Sequence, residues 1–340
     1  MRVAYVKTPF QFELREMEIP KPGEGQILLD VRACAVCGTD MHTAALEAEE
    51  FISFGHEIAG VVVENGPGVH RFLPGDKVIV ESCTFCHVCE NCRNGRPDLC
   101  TNGKSILDDV EISGYADYML IPEEAAVPFE GLTFAQAALA EPLGVALDLF
   151  YTTGIEVNDD VAVIGLGPIG LMAIALAKAA GARNVYAIQR SGRSKARIDL
   201  AKKLGATVIL TKDTDLGTYP FPRGGLNKIM VTASPSVIPE MFKVAAFGGI
   251  ISFLGIDMAH GDITFNANDF HFKKLQLRAS FAAPALWFPR ALDLLKSKVV
   301  NPDDFITQTF PLEEIRHWFE KQRDDSSDVI KMVMVKEETP

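Results

Sequence analysis

Short apolar runs separated by turn residues characterise the N-terminal part of the chain. Ile27–Ala33, Ile58–Glu64 and Lys77–Val80 are rich in aliphatic and β-branched residues, which is typical of strands. The clusters Asn65–Gly68 and Leu73–Asp76 supply the glycine, proline and asparagine that turns require. Residues 1–150 are therefore predicted to be β-rich.

From Phe134 onward the pattern changes to helical and strand-like segments in alternation. Helical periodicity is found at Phe134–Ala140, from Val145 onward, and at Ile169–Ala180, Ser194–Leu204 and Pro289–Lys296. Strands are predicted at Val161–Ile164, Val185–Ile188, Thr207–Leu210, Ile229–Thr232, Gly249–Leu254 and Val329–Val335. The alternation predicts βαβ units and a parallel, doubly wound sheet, so the fold class is α/β with a separate β-rich part.

Length and charge narrow the possible functions. The 340 residues correspond to about two domains. A net charge of −12 argues against nucleic acid or an anionic membrane surface as the main partner. Residues 161–177 carry no charge and approach the length of a bilayer span, but glycines and a proline interrupt them. We predict a buried strand, turn and helix there.

The seven cysteines are confined to the N-terminal part of the chain, at positions 34, 37, 83, 86, 89, 92 and 100. A disulfide framework normally accompanies a secretory signal, and the N-terminal residues have no long apolar segment of that kind. We therefore expect a cytoplasmic protein in which the clustered cysteines bind metal or take part in catalysis.

A glycine-rich loop follows the predicted strand Val161–Ile164. Gly165, Gly167 and Gly170 fit the G-x-G-x-x-G pattern, and Pro168 and Ile169 lie between the last two glycines. In such loops the glycines provide a tight turn, close approach to a pyrophosphate, and close packing of helix on strand. The pyrophosphate lies at the helix N-terminus, where free N–H groups favour an anion. The loop predicts binding of a nicotinamide dinucleotide.

The end of the next strand bears on the choice between NAD and NADP. An acidic residue there binds the ribose 2′-hydroxyl of NAD. This chain has Gln189 instead, followed by Arg190, Ser191 and Arg193. Arginine and serine are suitable donors to a 2′-phosphate, so the sequence favours NADP. Binding of NAD, with both arginines merely solvated, is the alternative.

Four closely spaced cysteines predict a structural zinc site. Cys86, Cys89, Cys92 and Cys100 place four thiols in one short segment, which suits a closed tetrahedral shell around Zn²⁺. An iron–sulfur cluster is the main alternative. Cys83 is interpreted as a neighbour because the other four complete the shell.

A second set of metal-ligand types is dispersed along the chain. Cys37–His42 comes first, Gly55–Glu57 follows, and Glu141–Leu143 comes much later. Cysteine, histidine and a carboxylate are the ligand types of a catalytic zinc that keeps one coordination position open.

Taken together, these motifs resemble the zinc-dependent medium-chain dehydrogenases of the alcohol dehydrogenase-like type. The resemblance extends over nearly the whole chain, through Gly60–Gly68, Pro74–Asp76, Gly114–Tyr118 and Phe310–Glu314. It implies a GroES-like catalytic domain formed by residues 1–147 and 285–340, with the zinc lobe at 83–100. It also implies a Rossmann domain over residues 148–284.

The resemblance also implies roles for individual residues. Cys37 and His56 match the first two catalytic zinc ligands, and Glu141 matches a position where the polyol and sugar branch has a carboxylate. Glu57 matches a glutamate beside the metal that coordinates it in some members. Which of the two carboxylates is the inner ligand stays open. Asp40 matches a carboxylate that orients the histidine ligand.

Two further matches concern proton transfer. Thr39 matches the hydroxyl that contacts the substrate oxygen, and His42 matches the outer member of a relay that runs through the nicotinamide ribose. The expected reaction is hydride transfer between NAD(P) and a secondary hydroxyl or ketone of a small-molecule polyol, sugar or cyclitol.

Two alternative functions remain, namely a dehydrogenase of simple secondary alcohols and a non-catalytic zinc protein that binds nicotinamide. Members of the family are commonly dimers or tetramers, so a homo-oligomer is expected.

Overall fold

The computed structural model describes residues 1–106, 110–258, 260–284 and 286–336. The chain forms two compact units, Met1–Gly144 with Ala282–Pro340, and Val145–Phe281. The predicted start of the C-terminal segment, residue 285, lies outside the described residues.

The secondary structure follows the expected change from strands to alternating strands and helices. The strands are β1 Arg2–Lys7, β2 Gln11–Glu16, β3 Gln26–Ala35, β4 Ile52–Ser53, β5 Glu57–Asn65, β6 Lys77–Val80, β7 Tyr118–Pro122, β8 Ala126–Pro128, β9 Asp160–Ile164, β10 Asn184–Gln189, β11 Thr207–Leu210, β12 Leu226–Val231, β13 Ala245–Phe253, β14 Gln276–Ala279, β15 Ile306–Phe310 and β16 Lys331–Val335. The helices are α1 Gly38–His42, α2 Glu90–Arg93, α3 Phe134–Ala138, α4 Ala140–Thr153, α5 Pro168–Ala179, α6 Lys195–Lys203, α7 Ile238–Val244, α8 Ala267–Phe272, α9 Phe288–Lys296 and α10 Ile315–Asp324.

The first unit is built around β3, the long strand of a mostly antiparallel sheet. The order in this sheet is β15-β16-β3-β5-β6-β8, and β7 also pairs with β3. A smaller sheet has the order β2-β1-β4. Aliphatic residues of β3 and β5, among them Leu29 and Ile58, are almost completely buried, and a cluster of Phe54, Tyr115 and Phe319 packs beside them. This core holds the end of β3 and the start of β5 in place.

The second unit contains a parallel sheet with the order β11-β10-β9-β12-β13-β14. Its central strand β9 is buried at every position, which is why its sequence is continuously apolar after Asp160. The order reverses at β9, between β10 and β12. The doubly wound sheet predicted from the alternation of elements is confirmed, and ligands of such sheets bind at this reversal.

One helix begins earlier than the sequence pattern indicates. The helix predicted from Val145 onward starts at Ala140, so that Glu141 lies in its first turn. Pro142 is tolerated there because a first-turn N–H has no partner within the helix. Thr133 caps the preceding α3 by accepting a hydrogen bond from the N–H of Gln136. This earlier start matters because it fixes the position of Glu141.

The uncharged stretch at 161–177 forms β9, the glycine loop and most of α5. Among the helices of the described residues, none combines the length and apolar character needed to cross a membrane.

Asp160 is a completely buried carboxylate at the start of β9. It accepts hydrogen bonds from the guanidinium groups of Arg183 and Arg223 and from Asn184. Burial opposes its ionisation, but these donors hold the pKa of Asp160 below its usual range. Because the pKa is lowered by folding, the carboxylate stabilises the native state above pH about 4, and this contribution is lost as the pH falls through the lowered pKa.

We therefore expect Asp160→Asn to reduce the free energy of unfolding at pH 7 by about 1–2 kcal/mol, a value discounted for the partial exposure of both arginines. The difference from the wild-type protein should narrow below pH about 4. Urea denaturation at several pH values measures it. Glu156→Gln removes an exposed charge at the same end of the sheet and serves as the control. An equal loss in both variants would contradict a specific role for Asp160.

Candidate active site and metal centres

Four cysteine sulfurs meet in a small lobe of the first unit. Cys86, Cys89, Cys92 and Cys100 each offer a sulfur, and all four atoms lie within 4.8 Å of one another. The Sγ atoms of Cys89 and Cys92 are 3.5 Å apart, and those of Cys89 and Cys100 are 4.0 Å apart. Ligand sulfurs at the usual zinc distance are about 3.8 Å apart in a tetrahedron. The donor set therefore fits structural zinc.

Electrostatics in the lobe also favour a cation. The backbone N–H groups of Val88 and Cys89 lower the pKa of the Cys86 thiol to about 6. Burial and the neighbouring thiols of Cys89 and Cys100 raise the pKa of Cys92 to about 12. Four thiolates this close repel one another, so a divalent cation is needed for all of them to ionise.

Cys83 lies outside this group. Its Sγ faces the carbonyl oxygen of Thr84 at 3.5 Å, and its backbone bridges Ser105. The seven cysteines, all within the described residues, form no disulfide.

The second predicted set of ligands meets where β3 ends and β5 begins. Cys37 follows β3 and begins α1, while His56 and Glu57 lie at the start of β5. Antiparallel pairing places Ala35 opposite Glu57, which brings both segments to the same edge. One ligand atom from each of Cys37, His56 and Glu57 lies within 4.8 Å of the others.

The surroundings of His56 suit an imidazole that binds metal. Its Nδ1 is buried without a hydrogen bond and lies 3.7 Å from Oδ1 of Asp40. Asp40 itself is fixed by the N–H of Cys37 at 2.9 Å and the hydroxyl of Tyr115 at 3.1 Å. Burial opposes a positive charge, yet Cys37, Asp40 and Glu141 raise the pKa of His56 well above its usual value. The same negative field favours a divalent cation.

Glu141 is buried in the first turn of α4 but does not belong to the group within 4.8 Å. Burial, together with repulsion from Glu57, raises its pKa to about 7, although His56 opposes this. Within the described residues no hydrogen bond reaches its carboxylate. A buried carboxylate without partners is costly unless a cation or a proton compensates it.

Lys331 is a site residue that sequence reasoning missed. Its ammonium group is almost completely buried and forms an ion pair with Glu57 at 2.6 Å. The available signal was a lysine within the apolar strand Val329–Val335, because a buried lysine requires an acidic partner. That partner was not identifiable from the sequence, since 274 positions separate the two residues.

The two residues assigned to proton transfer lie on the exposed side of α1. Thr39 is exposed, and Nε2 of His42 lies 3.2 Å from a carboxylate oxygen of Glu47. A π-helical turn, Thr43–Glu47, follows α1 directly and brings Glu47 onto His42. Such turns are frequent at functional sites. Glu47 is a second residue that the sequence pattern did not indicate.

The glycine loop connects β9 to α5 as expected. Gly165 has φ +98°, a left-handed conformation that favours glycine. A Cβ atom at Gly170 would lie 2.0 Å from the carbonyl oxygen of Gly165, so the fold requires glycine at position 170 whether or not a ligand is bound. A Cβ at Gly167 would meet nothing within 4 Å. Pro168 and Ile169 open α5 after Gly167, where proline loses no helical hydrogen bond.

Gln189 is the last residue of β10, and its Nε2 donates to the carbonyl oxygen of Ser191 at 3.2 Å. Arg190 and Arg193 follow it and are exposed. The loop and these donors therefore lie at the carboxyl ends of adjacent parallel strands, where dinucleotides bind in such sheets.

Comparison with known proteins identifies the family. Residues 23–131 match the alcohol dehydrogenase GroES-like domain, and residues 168–297 match the zinc-binding dehydrogenase family. L-Threonine 3-dehydrogenase of Bacillus velezensis is 32% identical over 92% of this chain and 93% of its own. L-Galactonate-5-dehydrogenase of Escherichia coli K12 is 26% identical over 98% of each chain.

A solved structure shows the same fold. It is described as a short chain alcohol dehydrogenase from E. coli CFT073 in complex with NADH. It superposes with a TM-score of 0.89 at 26% identity and covers 99% of each chain.

A GroES-like domain combined with a Rossmann domain defines the class of protein. The chain belongs to the zinc-dependent medium-chain dehydrogenase family, as its sequence motifs predicted, and the predicted fold class is confirmed.

Gly167 and Gly170 provide a matched pair of substitutions. Gly170→Ala should lower the free energy of unfolding by about 1–3 kcal/mol, because its Cβ meets backbone. Gly167→Ala should leave stability unchanged, because space for a Cβ is present. It should nevertheless weaken nicotinamide dinucleotide binding roughly tenfold or more by blocking close approach of the pyrophosphate. Thermal denaturation and calorimetric titration measure the two effects. Unchanged dinucleotide affinity in Gly167→Ala would contradict this function of the loop.

Proposed function

We propose that the protein is a zinc-dependent, NAD(P)-dependent dehydrogenase acting on a secondary hydroxyl of a polyol, sugar or cyclitol, or on the corresponding ketone. The observation that carries this proposal is the group of Cys37 with the buried His56 and Glu57, and Glu141 nearby, in a chain that also has the dinucleotide loop. In this proposal the first compact unit is the catalytic domain and the second is the nucleotide-binding domain.

Two sets of residues hold zinc in this proposal. Cys37 and His56, with a carboxylate from Glu57 or Glu141, hold the catalytic ion through soft and borderline donors. The four cysteines of the lobe hold the structural ion. Asp40 stands behind His56 and orients its ring, because the Cys37 N–H and the Tyr115 hydroxyl fix the carboxylate.

When bound, zinc supplies Lewis-acid stabilisation of the alkoxide, and the nicotinamide supplies a hydride acceptor. Residues of the chain transfer the proton of the substrate hydroxyl to water. The hydroxyl of Thr39 is both donor and acceptor, so it accepts the substrate proton while passing on its own. His42 is exposed and releases the proton to water, and a carboxylate oxygen of Glu47 lies 3.2 Å from its Nε2.

The substrate class is supported by Glu141 and by the relatives. Glu141 takes the position at which the polyol and sugar branch has a carboxylate. Two similar proteins act, by their names, on threonine and galactonate, and both substrates carry secondary hydroxyl groups.

NADP is the proposed cofactor. Gln189 ends β10 without a carboxylate for the ribose 2′-hydroxyl, and Arg190 and Arg193 are exposed beside it. Two guanidinium groups favour a 2′-phosphate. Solved structures of the same fold contain NADH in one case and NADP in another, so the proposal for this chain rests on its local side chains.

A homo-oligomer and a cytoplasmic location are also proposed. Within the described residues β14 pairs only with β13, so its other edge is open for pairing with a second copy. Phe272 and Phe281, close to this strand in the sequence, are strongly exposed. Apolar residues of a subunit interface are exposed in this way when one chain is considered without its partner. The seven cysteines of the described residues form no disulfide with one another, as in proteins of a reducing compartment.

A substrate panel tests the reaction. We expect the enzyme to reduce the nicotinamide cofactor when polyols, sugars or cyclitols are supplied, and the change in nicotinamide absorbance measures the rate. The rate with simple secondary alcohols should be lower. Cys37→Ser should reduce kcat about 1,000-fold or more, because alkoxide stabilisation is lost. Cys83→Ser lies outside both metal groups and should retain activity. Cofactor binding without turnover of any alcohol would instead support a non-catalytic nicotinamide-binding protein.

The cofactor proposal has a separate test. Arg190→Ala should raise KM for NADPH about 10- to 100-fold and leave KM for NADH nearly unchanged, because one charge-assisted hydrogen bond to phosphate is lost. Lys202→Ala removes an exposed charge at the other end of α6 and is the matched control. A strong preference for NADH that survives Arg190→Ala would refute the NADP proposal.

A further inference from the structure

Gly165, the first glycine of the loop, is held by both strands that flank β9. Its N–H donates to the carbonyl oxygen of Ile188 in β10 at 2.9 Å. Its carbonyl oxygen accepts a hydrogen bond from the hydroxyl of Thr232, which directly follows β12, also at 2.9 Å. The same hydroxyl lies 3.1 Å from the carbonyl oxygen of Ile164. Gly165 is therefore bound on both sides at the point where the strand order reverses.

Thr232 makes the one contact of this set that depends on a side chain. Among the described residues, its hydroxyl is the one donor that reaches the carbonyl oxygen of Gly165. Gly165 has φ +98°, and glycine permits more backbone conformations than any other residue. The peptide after Gly165 is consequently restricted by this hydrogen bond rather than by a side chain of its own.

The position of Thr232 also bears on the need for glycine in the loop. A Cβ atom at Gly165 or at Gly170 would lie 2.9 Å from Oγ1 of Thr232, a distance at which one of the atoms would have to move. Gly170 belongs to the first turn of α5. The hydroxyl thus lies between the start of the loop and the start of the helix.

A fixed carbonyl also fixes the N–H group of the same peptide. In a planar trans peptide C=O and N–H point in opposite directions, so the N–H of Leu166 is directed away from the Thr232 hydroxyl. Within the described residues, neither the N–H of Leu166 nor that of Gly167 donates a hydrogen bond. Free N–H groups before a helix are what a phosphate binds. A loop ordered before binding loses less entropy when the ligand arrives, which raises affinity.

We propose that Thr232 is a positioning residue of the dinucleotide site, whose hydroxyl holds the Gly165 carbonyl so that the loop keeps the conformation that a pyrophosphate requires. The inference rests on the dinucleotide binding of the proposed function. It adds a residue that lies 67 positions after Gly165, outside the glycine motif.

Ligands with and without the pyrophosphate test this role. The fluorescence of bound NADPH, or of NADH if it binds more tightly, measures dinucleotide affinity, and competition measures the affinities of ADP and adenosine. Thr232→Ala should weaken dinucleotide and ADP binding about 5- to 10-fold, because one hydrogen bond that orders the loop is lost. Adenosine has no phosphate, so its affinity should stay unchanged. Thr232→Ser keeps the hydroxyl and should retain wild-type affinity for all three ligands.

Two further variants complete the comparison. Thr232→Val keeps a side chain of similar volume without the donor and should lose at least as much dinucleotide affinity as Thr232→Ala. It tests the same role if the alanine variant does not fold, which thermal denaturation checks. Ser252→Ala removes a buried hydroxyl of β13 that makes no hydrogen bond within the described residues, and should leave all three affinities unchanged.

The outcomes separate this role from the proposed function. Unchanged dinucleotide affinity in Thr232→Ala, or an equal loss for adenosine and ADP, would overturn the positioning role while dinucleotide binding stands. Absence of dinucleotide binding in the wild-type protein would refute the proposed function and this role with it.

Discussion

Charge balance in the interior of the first unit is the constraint on which the site depends. Cys37, Asp40, Glu57 and Glu141 all act on His56 or on one another through a medium of low polarity. Their mutual repulsion is offset in part by Lys331. Such a set of anions is stable only with hydrogen bonds or a cation for each. The protein itself supplies hydrogen bonds to Asp40 and an ion pair to Glu57, and the proposed zinc ion would supply the remaining positive charge.

The sheet of the first unit makes this balance possible because it joins distant parts of the chain. Pairing of β3 with β5 brings Cys37 to His56, and pairing of β16 with β3 returns the C-terminal strand to the same edge. Lys331 is thereby brought to Glu57, although 274 positions separate the two residues in the sequence. Removal of the C-terminal strand would therefore disturb the metal site as well as the sheet.

The nucleotide-binding half follows a different principle. Its proposed site is made mainly by backbone. Gly165 is required by its left-handed conformation and Gly170 by its close approach to the Gly165 carbonyl, whereas a Cβ at Gly167 would meet nothing. A loop of this kind is readable from sequence because its shape is fixed by residue types at short spacing. The predicted strand Val161–Ile164 differs from the observed β9 by only one residue at its start, since a buried central strand leaves little freedom of register.

The sequence by itself determined the α/β class, the family, the glycine loop and the two sets of metal-ligand types, because each is a local pattern of residue types at fixed spacing. It did not determine that α4 begins at Ala140, which places Glu141, since helix starts depend on weak capping preferences. Only the tertiary structure decided that Lys331 pairs with Glu57 and that a π-helical turn brings Glu47 to His42. Strand pairing between segments far apart in the sequence brings buried charges together, and a local sequence pattern carries no information about which segments pair.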